Sequence, residues 1–481
     1  MARLSPTLFA LTALLAASCG RRPDDIPVSV SVIGPPLGTA SPYGTLMSEP
    51  QRVLAAATAQ GLVRLDAAGA IEPGLAARWT VIDDGGSVVF RIGDAERPDG
   101  QTVTADDAAA AIGRARRLPV GQSLLAPVEE VVAMTPQIIE IRLRRPMPDL
   151  LLRLAQPEFA VTAGGGSGPM RIADRVRGAV VLAPAYDPAR ADGASDGEPA
   201  PADTIQLRGE SAAIAVARFV QRQSDLVLGG SYRDWPLVER MGAGNANIRV
   251  DPAHGLFGLA VTRREGFLAD PANREALAMA LDRAAITAAF RPDWPAIDTI
   301  LPAPMDLGRE PTRPAWLAQS LEERQATARA RVSIWRSRNG GRKPVIRLAL
   351  TPDGGGNLLW GRIGPALAAI GLRVERVSPD ADADLRVIDR VAPSDQARWF
   401  LENACRPCGS AARDAILAAR DAGDAQTHRE RLAAAELALV DDHAYIPIAR
   451  PLRWSLVALR LRRFQTNPRA WHPLDQLREG K

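Results

Sequence analysis

The chain has 481 residues, 46% hydrophobic and 24% charged, with a formal net charge of +4. That length exceeds what one hydrophobic core organises, so two or more lobes are expected, and the composition excludes a disordered chain. The excess of 59 Lys and Arg over 55 Asp and Glu is small and spread out, which argues against a nucleic-acid partner despite an isoelectric point near 9.3.

Residues 1–18 read as a leader. Arg3 gives a positive start, "LFALTALLAA" is an apolar run too short for a permanent span, and "AASC" is a small-residue processing site. Ending on Cys19, the leader is similar to a bacterial lipoprotein signal, in which that thiol is acylated and becomes the new N-terminus. Leu15 and Ala16 depart from the commoner pattern, and the alternative is an ordinary secretory signal with a chance cysteine. Either way the chain is exported.

After the leader, "IPVSVSVI" alternates as a strand and Pro50 to Gln60 reads as a helix stopped by Gly61. "LVRLD", the turn "DAAG" and "TVIDDGGSVVFRI" then suggest a small antiparallel sheet. Pro98, Asp99 and Gly100 form a turn, and Thr104 with Asp107 three residues on opens a helix by a capping box. "IIEIRLRRP" alternates as a half-buried strand, and Pro148 stands at the start of the short helix "PDLLLRLA". "TAGGGSGPM" has neither the preceding strand nor the following Lys helix of a phosphate cradle, so it reads as a backbone crossing or hinge loop. Strands follow in "MRIADRVRGAVVLAP", then a polar excursion from Tyr186 returns into a strand, and "AAIAVARFV" is a helix leading to the strand "SDLVLGG".

In the second half, Leu277, Ala280, Leu281, Ala284 and Ala285 share one face of a single helix capped by Asp270 before Pro271. "PVIRLALTP", "NLLWGRIGPALAAIG" and "LRVERV" form a strand–helix–strand unit with Gly371 ending the helix, so part of this sheet is parallel. "ADLRVIDRV" adds a strand, two helices follow, and "AYIPIARPLRWSL" returns as a strand. Between them, Cys405 and Cys408 form C-x-x-C. Four scattered histidines make a zinc site a poor fit, and "RWFLEN" is a poor strand for a thioredoxin-like motif. A local disulfide is the favoured reading in an exported protein.

Several of these segments, in order, resemble the extracytoplasmic solute-binding proteins of peptide and nickel ABC importers, family 5. "GLVRLD", "LAARW" ending on Trp79, and the turn at Asp84 and Gly85 are similar to its N-terminal signature. "DGQTVTADD" from Asp99 to Asp107 looks like its helix start, and "GSGPM" resembles its Gly-Thr-Gly-Pro-Tyr, with Ser167 and Met170 as departures. "DPANREALAMALDR", through Arg274, Asp282 and Arg283, and "AYIPIA" at Tyr445, Ile446 and Pro447 complete the set.

The resemblance implies an α/β, two-lobed periplasmic binding protein (type II-like) with mixed sheets, a ligand cleft between the lobes and a small extra subdomain in lobe I. On it, 19–48 enter lobe I, 49–164 form the subdomain, 165–256 the main sheet of lobe I, 257–446 lobe II, and 447–481 return to lobe I. Crossovers are placed near "HGLFGLAV" and "AYIPIAR". Trp79 is expected in a core. The implied function is to bind a peptide or small solute and deliver it to an inner-membrane ABC permease. The protein would act as a monomer on the periplasmic side of the envelope, held by a lipid on Cys19, without enzymatic activity, metal or cofactor.

Peptide-binding members meet the ligand ammonium with an acidic residue in a Trp-x-x-Asp-Tyr-x-x-Pro run, which "VIDRVAPSDQARWFLEN" lacks. Asp389 or Asp395 is the candidate for that charge and Trp399 for an aromatic wall; the bland alternative makes the acids loop surface and Trp399 core. Further cleft candidates are Tyr43, Tyr232, Trp235, Arg453 and Trp454, against the reading that loop aromatics are packing residues. Two other functions stay open: a degenerate fold serving as a partner-binding lipoprotein, and an exported hydrolase. The latter has no G-x-S-x-G elbow or H-E-x-x-H helix to support it.

Overall fold

A computed structural model describes residues 25–38, 47–176, 178–185 and 201–477. The leader, Cys19, Tyr43 and most of the polar excursion after Tyr186 lie outside the described residues.

The chain enters as β1 (Val28–Ile33) and α1 (Glu49–Thr58). Next come β2 (Val63–Leu65), β3 (Ile71–Pro73), β4 (Ala76–Ile82), β5 (Ser87–Ile92), α2 (Ala105–Arg116), α3 (Pro119–Leu124), β6 (Val128–Thr135), β7 (Ile138–Leu143) and α4 (Leu150–Leu154). These build a subdomain in which the four-stranded sheet β4-β5-β7-β6 covers one face of α2. Alternation decides which face is buried. Phe90, Ile139 and Ile141 point inward, while Glu130, Glu140 and Arg142 pair on the outer face. Thr104 and Asp107 form the expected capping box of α2. Trp79 is half-buried, 6.5 Å from Phe90, at the margin of this core rather than its centre.

The chain then returns through the Gly-rich loop, where Gly168 donates to Thr58 O at 2.9 Å. A β-carbon on Gly168 would lie 2.4 Å from the Thr58 carbonyl carbon, so the glycine is needed for a close backbone crossing. There follow β8 (Met170–Val176), β9 (Ala179–Pro184), β10 (Ile205–Glu210), α5 (Ala212–Val220), β11 (Leu226–Ser231), α6 (Trp235–Met241) and β12 (Ile248–Asp251).

The second lobe opens with β13 (Gly255–Val261), α7 (Pro271–Ala280), α8 (Arg283–Ala288) and α9 (Leu321–Arg338). It continues with β14 (Val345–Ala349), α10 (Gly354–Ala369), β15 (Arg373–Val377), β16 (Leu385–Val391), α11 (Ala397–Ala404), α12 (Ser410–Arg420), α13 (Ala425–Asp442) and β17 (Tyr445–Ala449). β18 (Arg453–Val457) returns to the first lobe. The first lobe carries a seven-stranded sheet ordered β12-β18-β11-β1-β10-β9-β8, the second a five-stranded sheet ordered β15-β14-β16-β13-β17. β1 runs parallel to β10 and β11, and β14 parallel to β15 and β16; the other pairings are antiparallel.

Two details depart from the sequence reading. The amphipathic run after Asp270 is two helices, because the Asp282 side chain accepts from Ala285 N and starts a new helix after Leu281. "AYIPIARPLRWSL" is two strands in different sheets, β17 and β18, divided at Arg450–Leu452. That break and the segment between β12 and β13, residues 252–254, are where the chain passes between the sheets. Around them one core cluster joins Val227, Tyr232, Trp235 and Trp454 of the first lobe to Phe257, Phe290 and Trp294 of the second.

Candidate functional site

In open α/β sheets, ligands sit outside the carboxyl ends of the parallel strands, where loops are free to vary. Here the carboxyl end of β11 leads into "SYRDWP" in the first lobe, and that of β14 into "LTPDGGG" in the second. The two loops face each other. Gly355 N donates to Arg233 O at 3.0 Å, and Arg233 Nε lies 2.8 Å from Asp353 Oδ2. Asp353 also accepts from Gly356 N at 2.7 Å, capping α10.

At the floor, Arg453 sits where β18 pairs with β11 and β12, opposite Ser231 and Asp251. Its Nη1 donates to both carboxylate oxygens of Asp389, at 2.8 and 2.9 Å, and its Nη2 to Asp389 O at 3.3 Å. Asp389 extends on β16 beyond the end of its parallel partner β14, so this ion pair joins the lobes beside the crossovers. Burial pushes the Asp389 carboxyl up, with the Arg453 guanidinium acting against the shift. Burial likewise raises the phenols of Tyr232 and Tyr445, whose surroundings include Asp389, and the Asp234 carboxyl. Between α6 and the start of α10 lies a cavity of about 290 Å³ lined by Arg233, Asp234, Arg240, Asp353 and Asn357 with apolar neighbours.

The aromatic candidates take packing positions. Tyr232 is 4% exposed and meets Phe257 edge-on at 5.0 Å. Trp235 donates its indole N–H to Phe290 O at 2.7 Å, with Arg291 stacked on its ring. Trp454, 1% exposed, lies against Gly230 and donates to Ser231 O at 2.9 Å. Trp399 lies on α11 in the second-lobe core beside Phe400, under the Arg390 guanidinium. Asp395 is bound by His254 of the crossover at 2.7 Å and by Arg469 of the C-terminal tail. The hydrogen bond from His254 leads in lowering its pKa to about 2, ahead of Arg469. The structure therefore brings Asp389, Arg453 and Tyr232 together, and places Asp395 and Trp399 elsewhere along the same segment.

Sequence reasoning missed several groups at the lobe boundary. Ser394 Oγ donates to Asp149 Oδ2 at 2.6 Å, tying the loop after β16 to the subdomain, where Arg153 holds the same carboxylate. Arg233 and Asp353 were also missed, and α10 starts at Gly354 rather than Asn357. The signal was present in "TPDGGG": three glycines opening a helix forfeit helix propensity and mark a close approach. Cys405 and Cys408 are disulfide-bonded between α11 and α12.

No curated protein sequence matches the chain significantly. Among solved structures, Haemophilus influenzae OppA in complex with RPPGFSPFR matches with a TM-score of 0.74 at 16% identity, covering 94% of this chain and 98% of that one. The Escherichia coli murein tripeptide binding protein MppA matches at 0.73 and 17% identity, covering 92% of this chain and 96% of that one. Its unliganded open form matches at 0.66 and 18% identity, covering 94% and 96%. These likenesses establish the two-lobed binding-protein fold. The family described as bacterial extracellular solute-binding proteins, family 5 Middle, matches residues 70–329, more than half of the 481. The chain belongs to the bacterial extracellular solute-binding proteins of family 5.

Proposed function

We propose that this solute-binding protein captures a peptide or a related small solute between its lobes and delivers it to an inner-membrane ABC permease. The observation that carries this reading is the meeting of two carboxyl edges around paired charges of both signs, Asp389 with Arg453 and Arg233 with Asp353. Such a lining suits a zwitterion: an ammonium end shares Asp389 and a carboxylate end shares Arg453. Tyr232, Trp235 and Trp454 hold the walls in place. OppA with its bound RPPGFSPFR and the murein tripeptide binding protein MppA support a peptide-like solute. No bond need be made or broken, because a solute touching both lobes favours their closed arrangement by its differential affinity alone. The protein works as a monomer on the periplasmic side, anchored through acylated Cys19.

Thermal melts with peptide pools test this. A solute at about 100 times its Kd stabilises the folded state by about 2.7 kcal/mol, so the melting temperature rises. Native mass spectrometry of protein purified from its source then gives the solute's mass. One observation favours a second reading, a partner-binding lipoprotein: Gly355 and Arg233 meet directly across the cleft, as do Ser394 and Asp149. Unchanged melting with every pool, and no co-purified mass, would select it.

A further inference from the structure

We propose that Gly355 is the positioning residue that allows the two lobes to close, and that the backbone of α10 is itself part of the latch. This rests on the solute-receptor reading above and goes beyond it, because it places part of the closing interaction in the protein rather than in the solute. Gly354, Gly355 and Gly356 form the first turn of α10, a 16-residue helix. None of the three has the left-handed backbone that would demand glycine. Alanine is the better helix former at such positions, so propensity does not explain the run; neighbouring atoms do. At Gly356 they belong to the preceding loop, where a β-carbon would lie 2.0 Å from Thr351 O, but at the other two they belong to the first lobe. A β-carbon on Gly355 would lie 2.2 Å from Tyr232 O and 2.6 Å from Arg233 Cα, both backbone atoms of the other lobe. A β-carbon on Gly354 would lie 3.2 Å from the Pro236 ring. Because the obstructing atoms at Gly355 are main chain, no rotamer change can relieve the overlap; either the lobes stand apart or the contact is lost.

The missing side chains bring an α10 amide to the Arg233 carbonyl at 3.0 Å, and the same approach sets the Arg233–Asp353 pair. An amide of a helix's first turn has no partner within its own helix. Docking on the first lobe satisfies this one, and opening returns it to water. The closed arrangement thus satisfies a donor that the helix leaves spare, without solute.

The test is small-angle X-ray scattering of the full, solute-free chain, with melting temperature as the folding control. Gly355→Ala is expected to cut the closed-to-open ratio by about tenfold or more, since overpacking against main chain must be relieved by separation. Its scattering should shift to a larger radius of gyration while its melting temperature stays near that of the parent. Gly361→Ala, in the same helix but with no atom beyond its own helical backbone within 4 Å of its β-carbon, should leave scattering unchanged. Should Gly355→Ala fail to fold, Gly354→Val, forced onto Pro236, decides instead. Parent-like scattering from the folded Gly355 variant, or from Gly354→Val in its place, would overturn the proposal. Scattering needs no solute, so that failure leaves the receptor reading standing, and silence in the peptide melts leaves this result standing.

Discussion

Arg453→Met tests the floor of the cleft. The parent pair is largely desolvated, with side chains 19% and 15% exposed, and three of the four guanidinium contacts go to Asp389, the fourth to Leu452 O at 3.1 Å. Methionine keeps much of the volume and removes the charge, leaving a buried carboxylate beside Tyr232 and Tyr445. Removing one partner of a buried pair costs about 3–5 kcal/mol, and the residual exposure puts this case near 3. For a chain this long melting as one unit, about 1 kcal/mol corresponds to roughly one degree, so the melting temperature should fall by about 3 °C. The loss must depend on pH. Burial already raises the Asp389 carboxyl and Arg453 opposes it; without Arg453 the folded-state value rises further above the unfolded one. A group with a raised folded pKa binds more protons when folded, so its contribution is present at low pH and lost as pH rises. The deficit of Arg453→Met should therefore be small near about pH 5 and full near about pH 8. Adding Asp389→Asn removes the orphan charge and should recover most of the stability at about pH 8. A deficit equal at both pH values, or a double variant no better than the single, would refute the reasoning.

Two further predictions concern the scaffold. The hydrogen bond from His443, then that from Arg331, holds Glu275 down to about 2, against an ordinary value of 4.5. Stability from a depressed carboxyl is present above the unfolded value and is lost as pH falls through the folded one. Glu275→Gln should thus melt lower than the parent near neutrality and converge with it as the pH falls towards about 2; a constant gap would contradict this. The Cys405–Cys408 bridge closes a very short loop, for which chain entropy predicts about 2 kcal/mol. A Cys405→Ser/Cys408→Ser variant should accordingly lose about 2 °C, and a loss of ten degrees would mean the bridge holds more than its own loop.

Patterns with a local cause were legible in the sequence. The capping box at Thr104 and Asp107, the alternation of β7 and the parallel β14–α10–β15 unit depend on neighbours in the chain, and each is visible as spacing. The cap at Asp282 was equally local but was masked by an apolar face that continues through it. What stayed hidden depends on pairing between distant segments. Asp149 and Ser394 are 245 positions apart, and neither has a sequence context suggesting a partner. Asp389 was recognisable as an acid near the cleft, but its engagement by Arg453 follows only from the register that sets β18 beside β11 and β12. The aromatic candidates depend on distant pairing too. Tyr232, Trp235 and Trp454 sit at loop boundaries in sequence, yet the crossovers fold those boundaries into a core shared by both lobes.

The polar contacts between the lobes also suggest how firmly they hold. Beside the buried floor pair, Arg233 and Asp353 are 52% and 24% exposed, and Arg145 and Asp421 are 25% and 54% exposed, 3.4 Å apart. Solvated pairs of this kind contribute about 0–1 kcal/mol each. Moving a two-state equilibrium from 1:99 to 99:1 takes about 5.5 kcal/mol, so the outer pairs alone cannot lock the protein shut. That is suitable for a receptor that must release its cargo: the outer seam biases closure and the solute completes it. Salt provides the measurement. The Debye length shrinks from about 10 Å at 0.1 M to about 3 Å at 1 M, which weakens exposed pairs and leaves the Asp389–Arg453 floor and the Gly355 amide contact nearly intact. Solute-free scattering should therefore move only part of the way towards the open form as salt rises, and Arg233→Ala should show most of that shift already at low salt. Complete opening in high salt would mean that the seam is wholly electrostatic and that the backbone latch contributes nothing.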